Sequence, residues 1–347
     1  MAIIWFDGFE RYSGTGIMSQ YYSQVTAQGS VGITTGRYDG QCLTLGSQYV
    51  TQPGTTGLIR TLTSTVTSIS VGVAIYLTRT INGTNNPVVT LMNGSTTIAY
   101  VGLSDTNLIV GNNGGTVSVN LPKVFNTTQW NYIEIEAVTS LTSGIFNFYW
   151  NGELLYALSG SPVKSSTNII AIDSVRLSPP YGSGFGPALQ YDDFYITNTS
   201  TRLGELHIAG LKPSADTAQK QWVPSTGTTN YNLVNDLLKT SDTTYVQTVN
   251  AGDKDYYDIQ DISSVTSISG SVLAVGVYGV GNKSTFGPAS AQLAVKSNTT
   301  ESFGTAQVLY ETTNIIIPSI TMETDPATSS AWTTAGVNNL QIGIRSS

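Results

Sequence analysis

The sequence predicts an all-β protein made of two antiparallel β-sandwich domains, with one short helix in the second domain. The first observation is composition, because only 11% of the 347 residues are charged, against about 25% in ordinary globular proteins. The second is residue type: Thr, Val, Ile and Tyr, which favour strands, are frequent, and helix-surface residues are scarce. The third is periodicity, since short segments alternate apolar and polar residues, with turn residues about every 8–12 positions.

The first domain, residues 1–200, contains a series of such segments. The predicted strands are Ser68–Leu77, Val88–Met92, Thr97–Leu103, Asn107–Val110, Thr116–Leu121, Tyr132–Val138, Ile145–Trp150, Leu154–Leu158 and Ile172–Leu177. Asn151 and Gly152 lie between two of these strands, and this dipeptide predicts a tight hairpin. The polar stretch Thr197–Gly204 predicts a linker that ends the domain.

The second domain, residues 201–347, contains the predicted helix at Asn230–Lys239. Its four apolar residues from Leu233 to Leu238 would form one stripe on a helix of two or three turns. The remaining segments predict strands at Glu205–Ala209, Tyr245–Val249, Tyr256–Ile259, Ser269–Val280, Ala291–Lys296, Ala306–Tyr310, Asn314–Ile317 and Leu340–Ile344.

Charge and rare residues exclude several classes of function. The formal net charge of −7 argues against binding nucleic acid, which needs a basic surface. The single cysteine, Cys42, excludes an internal disulfide and a thiolate zinc site. No segment has the roughly 20 consecutive apolar residues of a membrane-spanning helix. Met1–Phe9 lacks the pattern of a secretory signal, so we expect a protein that is made in a cytoplasm.

Four segments of the first domain carry a resemblance to a known family. Trp130–Leu158 resembles the central hairpin of concanavalin A-like, or laminin-G-like, jelly rolls, in which a Trp opens one strand and a later strand ends in an Asn-Gly turn. Gln190–Ile196 resembles the closing strand of these domains. Trp5–Glu10 and Gly40–Leu45 resemble the strands that open them. The resemblance implies a jelly-roll sandwich over residues 1–200.

The second domain has a different resemblance. Leu211–Asp258 is similar to a segment of virion proteins of tailed bacteriophages, and Ala331–Ile344 resembles the last strand of the same module. The resemblance implies a non-enzymatic component of the virion, made in the host bacterium and displayed on the capsid or tail as a decoration or fibre protein. Other virion proteins would be its partners. The alternatives are a carbohydrate-binding module that attaches to host-surface glycans and, less favoured, a glycan-cleaving enzyme.

Glu134 and Glu136 are the carboxylates to weigh for catalysis. They are two residues apart on a predicted strand and therefore point to the same face of the sheet. Some glucanases of concanavalin-like fold carry their acid and nucleophile in a similar pattern, but here no third carboxylate follows within the strand. We interpret Ile133 and Ile135 as core residues and the two glutamates as a solvated face. No catalytic residue is predicted.

The acidic residues Asp192 and Asp193, with Asp173 or Asp7, are weak candidates for a calcium site. Ca²⁺ takes 6–8 oxygen ligands, and many laminin-G-like domains bind it at a loop rim, but no ligand spacing supports a site here. No other cofactor is predicted. His207, the single histidine, is predicted to lie on a strand, exposed or at a subunit contact.

The apolar, uncharged stretch Ile262–Gly281 bears on assembly. It has no Lys, Glu or Pro to protect a sheet edge, so pairing with a second copy is one explanation, and burial as a central strand pair is the other. We expect a homo-oligomer, and the resemblance to phage appendages favours a trimer.

Overall fold

The structure is a computed structural model that describes residues 2–26, 31–38, 40–48, 57–78, 86–104, 107–112, 115–120, 129–179, 185–238, 243–266, 270–311 and 313–347. Side chains are described in these ranges except at residues 26, 47–48, 115–120 and 185–188. The chain divides into two units. The first contains Met1–Phe9 and Tyr21–Ile208, and the second contains Glu10–Gln20 and Ala209–Ser347. The first unit therefore continues beyond residue 200, and an N-terminal segment belongs to the second.

The elements between Ile3 and Thr197 are the strands of the first unit and one short helix, most of which belongs to the second unit. They are β1 (Ile3–Asp7), α1 (Thr15–Tyr21), β2 (Gln24–Thr26), β3 (Val31–Thr35), β4 (Gln41–Gln48), β5 (Gly57–Val66), β6 (Ser68–Leu77), β7 (Asn86–Asn93), β8 (Thr96–Leu103), β9 (Asn107–Asn112), β10 (Gly115–Asn120), β11 (Trp130–Val138), β12 (Ser140–Trp150), β13 (Glu153–Val163), β14 (Ile172–Leu177) and β15 (Phe185–Thr197). Every strand predicted for residues 68–177 has a counterpart here, although Leu121 lies outside the described residues.

These strands form the two antiparallel sheets of a jelly-roll-like sandwich. The first sheet has the order β13-β12-β11-β6-β15-β4-β3, with β1 also on β15, and the second has the order β10-β9-β8-β7-β14-β5-β2. Tyr191 of the first sheet donates a hydrogen bond of 3.1 Å to the carbonyl of Val88 in the second, which shows that the sheets pack face to face. The face of the first sheet turned away from the second is called the outer face below.

The hairpin between β12 and β13 is confirmed. Trp150 pairs with Glu153 across the two-residue turn, and Asn151 and Gly152 have φ angles of 51° and 81°. Both values are positive, as a type I′ turn requires, and Asn and Gly are the residues that adopt this conformation at least cost.

The second unit is also mostly β-structure. Its elements are β16 (Pro213–Lys220), β17 (Val223–Pro224), β18 (Val246–Gln247), β19 (Lys254–Ile259), α2 (Ile262–Val265), β20 (Val275–Gly281), β21 (Ser290–Ser297), β22 (Thr300–Phe303), β23 (Gln307–Val308), β24 (Ile315–Met322), β25 (Thr324–Asp325), β26 (Ser330–Ala331), α3 (Thr334–Asn338) and β27 (Gln341–Ser346). A six-stranded sheet has the order β16-β19-β27-β21-β22, with β23 on β21. The hairpin β20–β24 packs on this sheet through a shared cluster that includes Val277, Leu293 and Ile317. The all-β class is therefore confirmed.

The helix predicted at Asn230–Lys239 is wrong. Residues 230–238, the described part of this stretch, contain only a 3-10 turn at Tyr231–Leu233, and Lys239 lies outside the described residues. The amide N–H groups of Asn230 and Tyr231 donate to the carboxylate of Asp216, and the N–H of Leu238 donates to the carbonyl of Arg11 at 2.7 Å. These long-range bonds hold the backbone in another conformation, so the apolar spacing does not produce a helix.

The strand predicted at Glu205–Ala209 is also wrong, since these residues form no ladder. The N–H of Ile208 donates instead to the side chain of Asp193 at 2.7 Å. Within the described part of the chain, no helix has the length and apolar character needed to cross a lipid bilayer.

Candidate functional site

The outer face of the first sheet holds the side chains singled out by the sequence. Along β11, Ile133 and Ile135 are buried on the inner face, as predicted, so Glu134 and Glu136 lie on the outer face. On β15, Asp192 pairs with Ala74, and Tyr195 pairs with Gly72, which itself pairs with Glu134. These registers bring the carboxylates of two strands and Tyr195 onto one surface.

Residues 202–208, called the covering segment below, lie across this surface. Leu203 and Leu206 pack against a cluster formed by Ala74, Tyr132 and Tyr195. The segment is thus fixed by apolar contacts as well as by the hydrogen bonds described next, and it removes part of the outer face from solvent.

Glu134 has all its carboxylate contacts inside the protein. Its side chain is only 1% exposed. Oε1 accepts hydrogen bonds of 2.8 Å from the Tyr195 hydroxyl and 2.8 Å from the Gly204 N–H. Oε2 forms an ion pair of 2.6 Å with the guanidinium of Arg202. A buried carboxylate is stable only with such partners, so Glu134 acts here as an anchor for the covering segment.

Glu136 is also engaged. Its Oε2 accepts hydrogen bonds from Asn147 Nδ2 at 3.1 Å and from the Tyr149 hydroxyl at 2.8 Å, and its Oε1 accepts one from the Arg202 N–H at 3.1 Å. The guanidinium of Arg202 lies 4.4 Å from the centre of the Tyr149 ring. The prediction that the two glutamates form a solvated face is therefore wrong for Glu134, which is buried, whereas Glu136 is half-buried and bonded to β12 and the covering segment.

Tyr195 remains a hydrogen-bond donor in this arrangement. Burial, followed by the nearby charge of Glu134, raises the pKa of Tyr195 well above its usual value of 10.0. Its oxygen accepts a hydrogen bond of 3.0 Å from the Leu203 N–H while its own proton is donated to Glu134. Tyr195 thereby links the sheet to the covering segment.

Asp192 and Asp193 form a second buried pair, 2% and 1% exposed. Asp192 accepts hydrogen bonds from the N–H groups of Arg37 at 2.8 Å and Asp193 at 2.9 Å. Asp193 accepts from the Ile208 N–H, and the Arg37 guanidinium lies 3.4 Å from its Oδ2. Asp193 has a φ of 49°, in the left-handed region that Asp tolerates better than most residues. The pair thus fixes the far end of the covering segment.

Burial, and then the charge of Asp193, raises the pKa of Asp192 from 3.8 to about 8. His207 contacts the same pair, because its Nδ1 lies 3.6 Å from Asp193 Oδ1. The ring of Tyr38 meets the imidazole edge-on, with the ring centroids 4.7 Å apart. The His207 side chain is 13% exposed and the residue lies outside any strand, so the prediction of an exposed position on a strand is wrong, while its alternative, a position at a subunit contact, stays a prediction.

The other calcium candidates lie elsewhere. Asp173 is on β14 of the second sheet, where it accepts hydrogen bonds from the Gly94 N–H and the Ser174 hydroxyl, both at 2.7 Å. Asp7 accepts from the Phe9 N–H and the Tyr22 hydroxyl. Among the described residues, no three acidic, histidine or cysteine side chains come together as a metal site. A calcium ion at Asp192 and Asp193 would have to displace N–H donors and compete with Arg37.

Sequence reasoning did not find the residues that hold this surface together, namely Arg37, Tyr132, Tyr149, Tyr195 and Arg202. Glu134 and Arg202 are 68 positions apart, and Arg37 and Asp193 are 156 apart. The alternation of apolar and polar residues within a short segment does not predict contacts between residues so far apart. The local signal is the polar composition of the stretch Thr197–Gly204, and that composition predicts a linker and not a segment bound to the sheet.

Comparison with known proteins gives likeness to solved structures only. No family model matches the chain, and no curated protein matches it. The cellulose induced protein Cip1 aligns with 17% identity over 52% of this chain and 90% of that one, with a TM-score of 0.40. The endo-beta-1,4-glucuronan lyase from the fungus Trichoderma reesei aligns with 12% identity over 57% of this chain and 96% of the lyase, with a TM-score of 0.41.

The catalytic domain of a glycoside hydrolase family 131 protein from Coprinopsis cinerea aligns with 13% identity over 59% of this chain and 99% of that domain, with a TM-score of 0.40. At these values the likenesses assign neither a family nor an activity to this chain.

Proposed function

We propose that this protein is a non-enzymatic structural component of a tailed-phage virion, displayed on the capsid or tail as a decoration or fibre protein. The virion assignment is supported by the resemblance of Leu211–Asp258 and Ala331–Ile344 to modules of such proteins. The proposed partners are other virion proteins and further copies of the chain, and the proposed place of synthesis is the bacterial host.

The observation that carries the non-enzymatic role is the burial of Glu134 beneath residues 202–208. A glycan-cleaving carboxylate pair needs one acid that touches the glycosidic oxygen and a second carboxylate that faces the sugar or a water molecule. Glu134 is 1% exposed and is paired with Arg202, Tyr195 and the Gly204 N–H. Both glutamates are therefore used to hold the fold.

Activity assays test the non-enzymatic part. We expect the purified chain to release no reducing ends from a panel of β-glucans and no unsaturated ends from polyuronates. Glu134→Gln and Glu136→Gln variants are assayed alongside. Hydrolysis or elimination that disappears in either variant, while the variant stays folded by circular dichroism, would overturn the proposal.

Localisation tests the virion part. We expect the chain to be present in purified phage particles at a fixed copy number by mass spectrometry, and cryo-electron microscopy of those particles to show density that fits the first unit. Its consistent absence from purified particles, with expression in infected cells, would contradict the assignment.

A carbohydrate-binding role is the second candidate. It is favoured by two partly exposed aromatic side chains, Tyr76 and Trp130, at one end of the outer face. A binding role is compatible with a virion component, because it needs no catalytic group.

A further inference from the structure

We propose that four side chains at one end of the outer face bind a neutral saccharide. These are Thr44 of β4, Gln190 of β15, Tyr76 of β6 and Trp130 of β11, called the aromatic row below. The proposal rests on the carbohydrate-binding role given above as the second candidate function, to which it assigns a site and a ligand class, and it is independent of the virion assignment. It differs from the Glu134 surface, which residues 202–208 cover.

The register of the strands creates the row. Trp130 pairs directly with Tyr76, Tyr76 with Gln190, and Gln190 with Thr44. Residues directly opposite one another on neighbouring antiparallel strands point to the same face. With strands about 4.8 Å apart, the four side chains extend over about 14 Å. That is long enough for a short oligosaccharide lying across the strands.

The two aromatic rings provide an apolar surface that is held in place. Their centroids are 5.5 Å apart, and their planes are tilted by 49°. Trp130 packs on one side against the cluster that contains Tyr132, and both rings keep part of their surface exposed. Pyranose rings have an apolar C–H face, and a fixed aromatic ring gains contact with it at little cost in side-chain entropy.

The row also offers hydrogen-bonding groups that the described residues do not use. In the described part of the chain, the Trp130 indole N–H, the Tyr76 hydroxyl and the Gln190 amide have no hydrogen-bond partner. Thr44 Oγ1 also lacks one but is shielded from solvent, so Thr44 forms the border of the row and does not offer its hydroxyl to a ligand. By contrast, the polar groups of Glu134, Glu136 and Tyr195 on the same face are bonded to the protein. Unused donors and acceptors beside an apolar surface are typical of ligand sites.

The charge of the row selects the class of saccharide. The row contains no Asp, Glu, His, Lys or Arg side chain. The charged groups closest in register, Asp192 and its neighbour Asp193, are already bonded to Arg37 and to backbone N–H groups. A uronic acid would need a free cation to balance its carboxylate. The row therefore fits an uncharged hexose or pentose oligomer better than an acidic one.

Titration of the full-length chain with hexasaccharides tests the site. The neutral probes are hexamers of β-1,4-glucose, β-1,4-xylose, β-1,4-mannose and α-1,4-glucose, and the acidic probe is a hexamer of galacturonic acid. Binding is followed by calorimetry and by tryptophan fluorescence. We expect at least one neutral hexamer to bind saturably and the acidic hexamer not to bind.

Variants locate the binding. Gln190→Ala and Tyr76→Ala should each weaken it at least about tenfold, equal to about 1.4 kcal/mol. Trp130→Phe keeps an aromatic ring but loses the N–H, and it should weaken binding less. Tyr310→Ala, which removes an exposed aromatic ring of the second unit, is the matched control and should leave binding unchanged.

Folding of each variant is checked by its melting curve, and Gln190→Glu, which keeps the side-chain size but adds a charge, serves if an alanine variant unfolds. Three results would overturn the proposal: no binding of any neutral hexamer at millimolar concentration, equal binding by wild type and folded row variants, or preference for the acidic hexamer.

Discussion

The ring of Tyr195 lies across Gly72, and its hydroxyl reaches Glu134 on the strand beyond. A Cβ atom placed on Gly72 would lie 2.0 Å from Cε1 of Tyr195, so this contact requires glycine. The hydroxyl then donates its hydrogen bond of 2.8 Å to Glu134 Oε1. The absence of a side chain on β6 thus allows β15 to anchor a carboxylate on β11.

Gly72→Ala is expected to destabilise the protein by about 1–3 kcal/mol, because the methyl group displaces the Tyr195 ring from its buried position. The measurement is urea unfolding followed by circular dichroism. Gly32→Ala on β3 is the matched control: nothing lies within 4 Å of its added Cβ, and it should be neutral or slightly stabilising. Equal stability of the two variants would show that Tyr195 does not need the space above Gly72.

Glu134→Gln is expected to lower the free energy of unfolding by about 3 kcal/mol, since it leaves Arg202 without its buried partner. The covering segment should also become more accessible, so trypsin should cleave after Arg202 faster than in the wild type. Glu153→Gln, at an exposed strand position, is the control and should change neither property. Unchanged cleavage of Glu134→Gln would contradict the anchoring role.

Asp192 makes stability depend on pH. Its pKa is raised by burial from 3.8 to about 8, so the folded state holds a proton that the unfolded state has already lost between these values. Its contribution to stability is fully present below pH 3.8, decreases as the pH rises, and is lost above about pH 8, with a slope of at most about 1.4 kcal/mol per pH unit.

Urea unfolding at a series of pH values measures this slope. An asparagine cannot ionise, so in the Asp192→Asn variant the free energy of unfolding should change less between pH 5 and 8 than in the wild type. This range covers about three pH units of the Asp192 titration. Parallel profiles for the variant and the wild type would show that Asp192 keeps the same protonation in both states.

A fragment of residues 1–208 is expected to melt at a higher temperature than one of residues 1–202. The linker predicted at Thr197–Gly204 would place the end of the domain close to Arg202, but Gly204 and Ile208 donate hydrogen bonds to Glu134 and Asp193. The shorter fragment loses these anchors and exposes the cluster of Tyr132 and Tyr195. Calorimetry on the two purified fragments decides the point, and identical melting would mean that the covering segment adds no stability.

The chain is expected to form a homo-oligomer, with a trimer favoured by the resemblance to phage appendages, through contacts in the second unit. In the described residues β20 pairs with β24 only, so its other edge has no strand partner there, and Val249 and Phe286 are 71% and 79% exposed. Light scattering should give a multiple of 36.9 kDa.

The double variant Val249→Ser, Phe286→Ser should lower that mass, whereas Leu141→Ser, Leu154→Ser in the first unit should not. A mass near 36.9 kDa for the wild type, independent of concentration, would reject assembly.

The sequence by itself determined the all-β class, the strands of the first unit between Ser68 and Leu177, and the turn at Asn151 and Gly152. These features depend on interactions between residues close in the chain: alternating burial has a period of two, and a tight turn depends on the φ angles of two residues. Such information is contained in windows of about ten residues.

Only the tertiary structure decided the environment of Glu134, the course of residues 202–208 and the conformation of residues 230–238. In each case a buried polar group is satisfied by a partner far away in the sequence: Glu134 by Arg202, Asp193 by Arg37, and the side-chain amide of Asn230 by Asp255. Because an unpaired buried charge costs more than a local preference contributes, these distant partners override the helix and strand patterns of the segments that supply them.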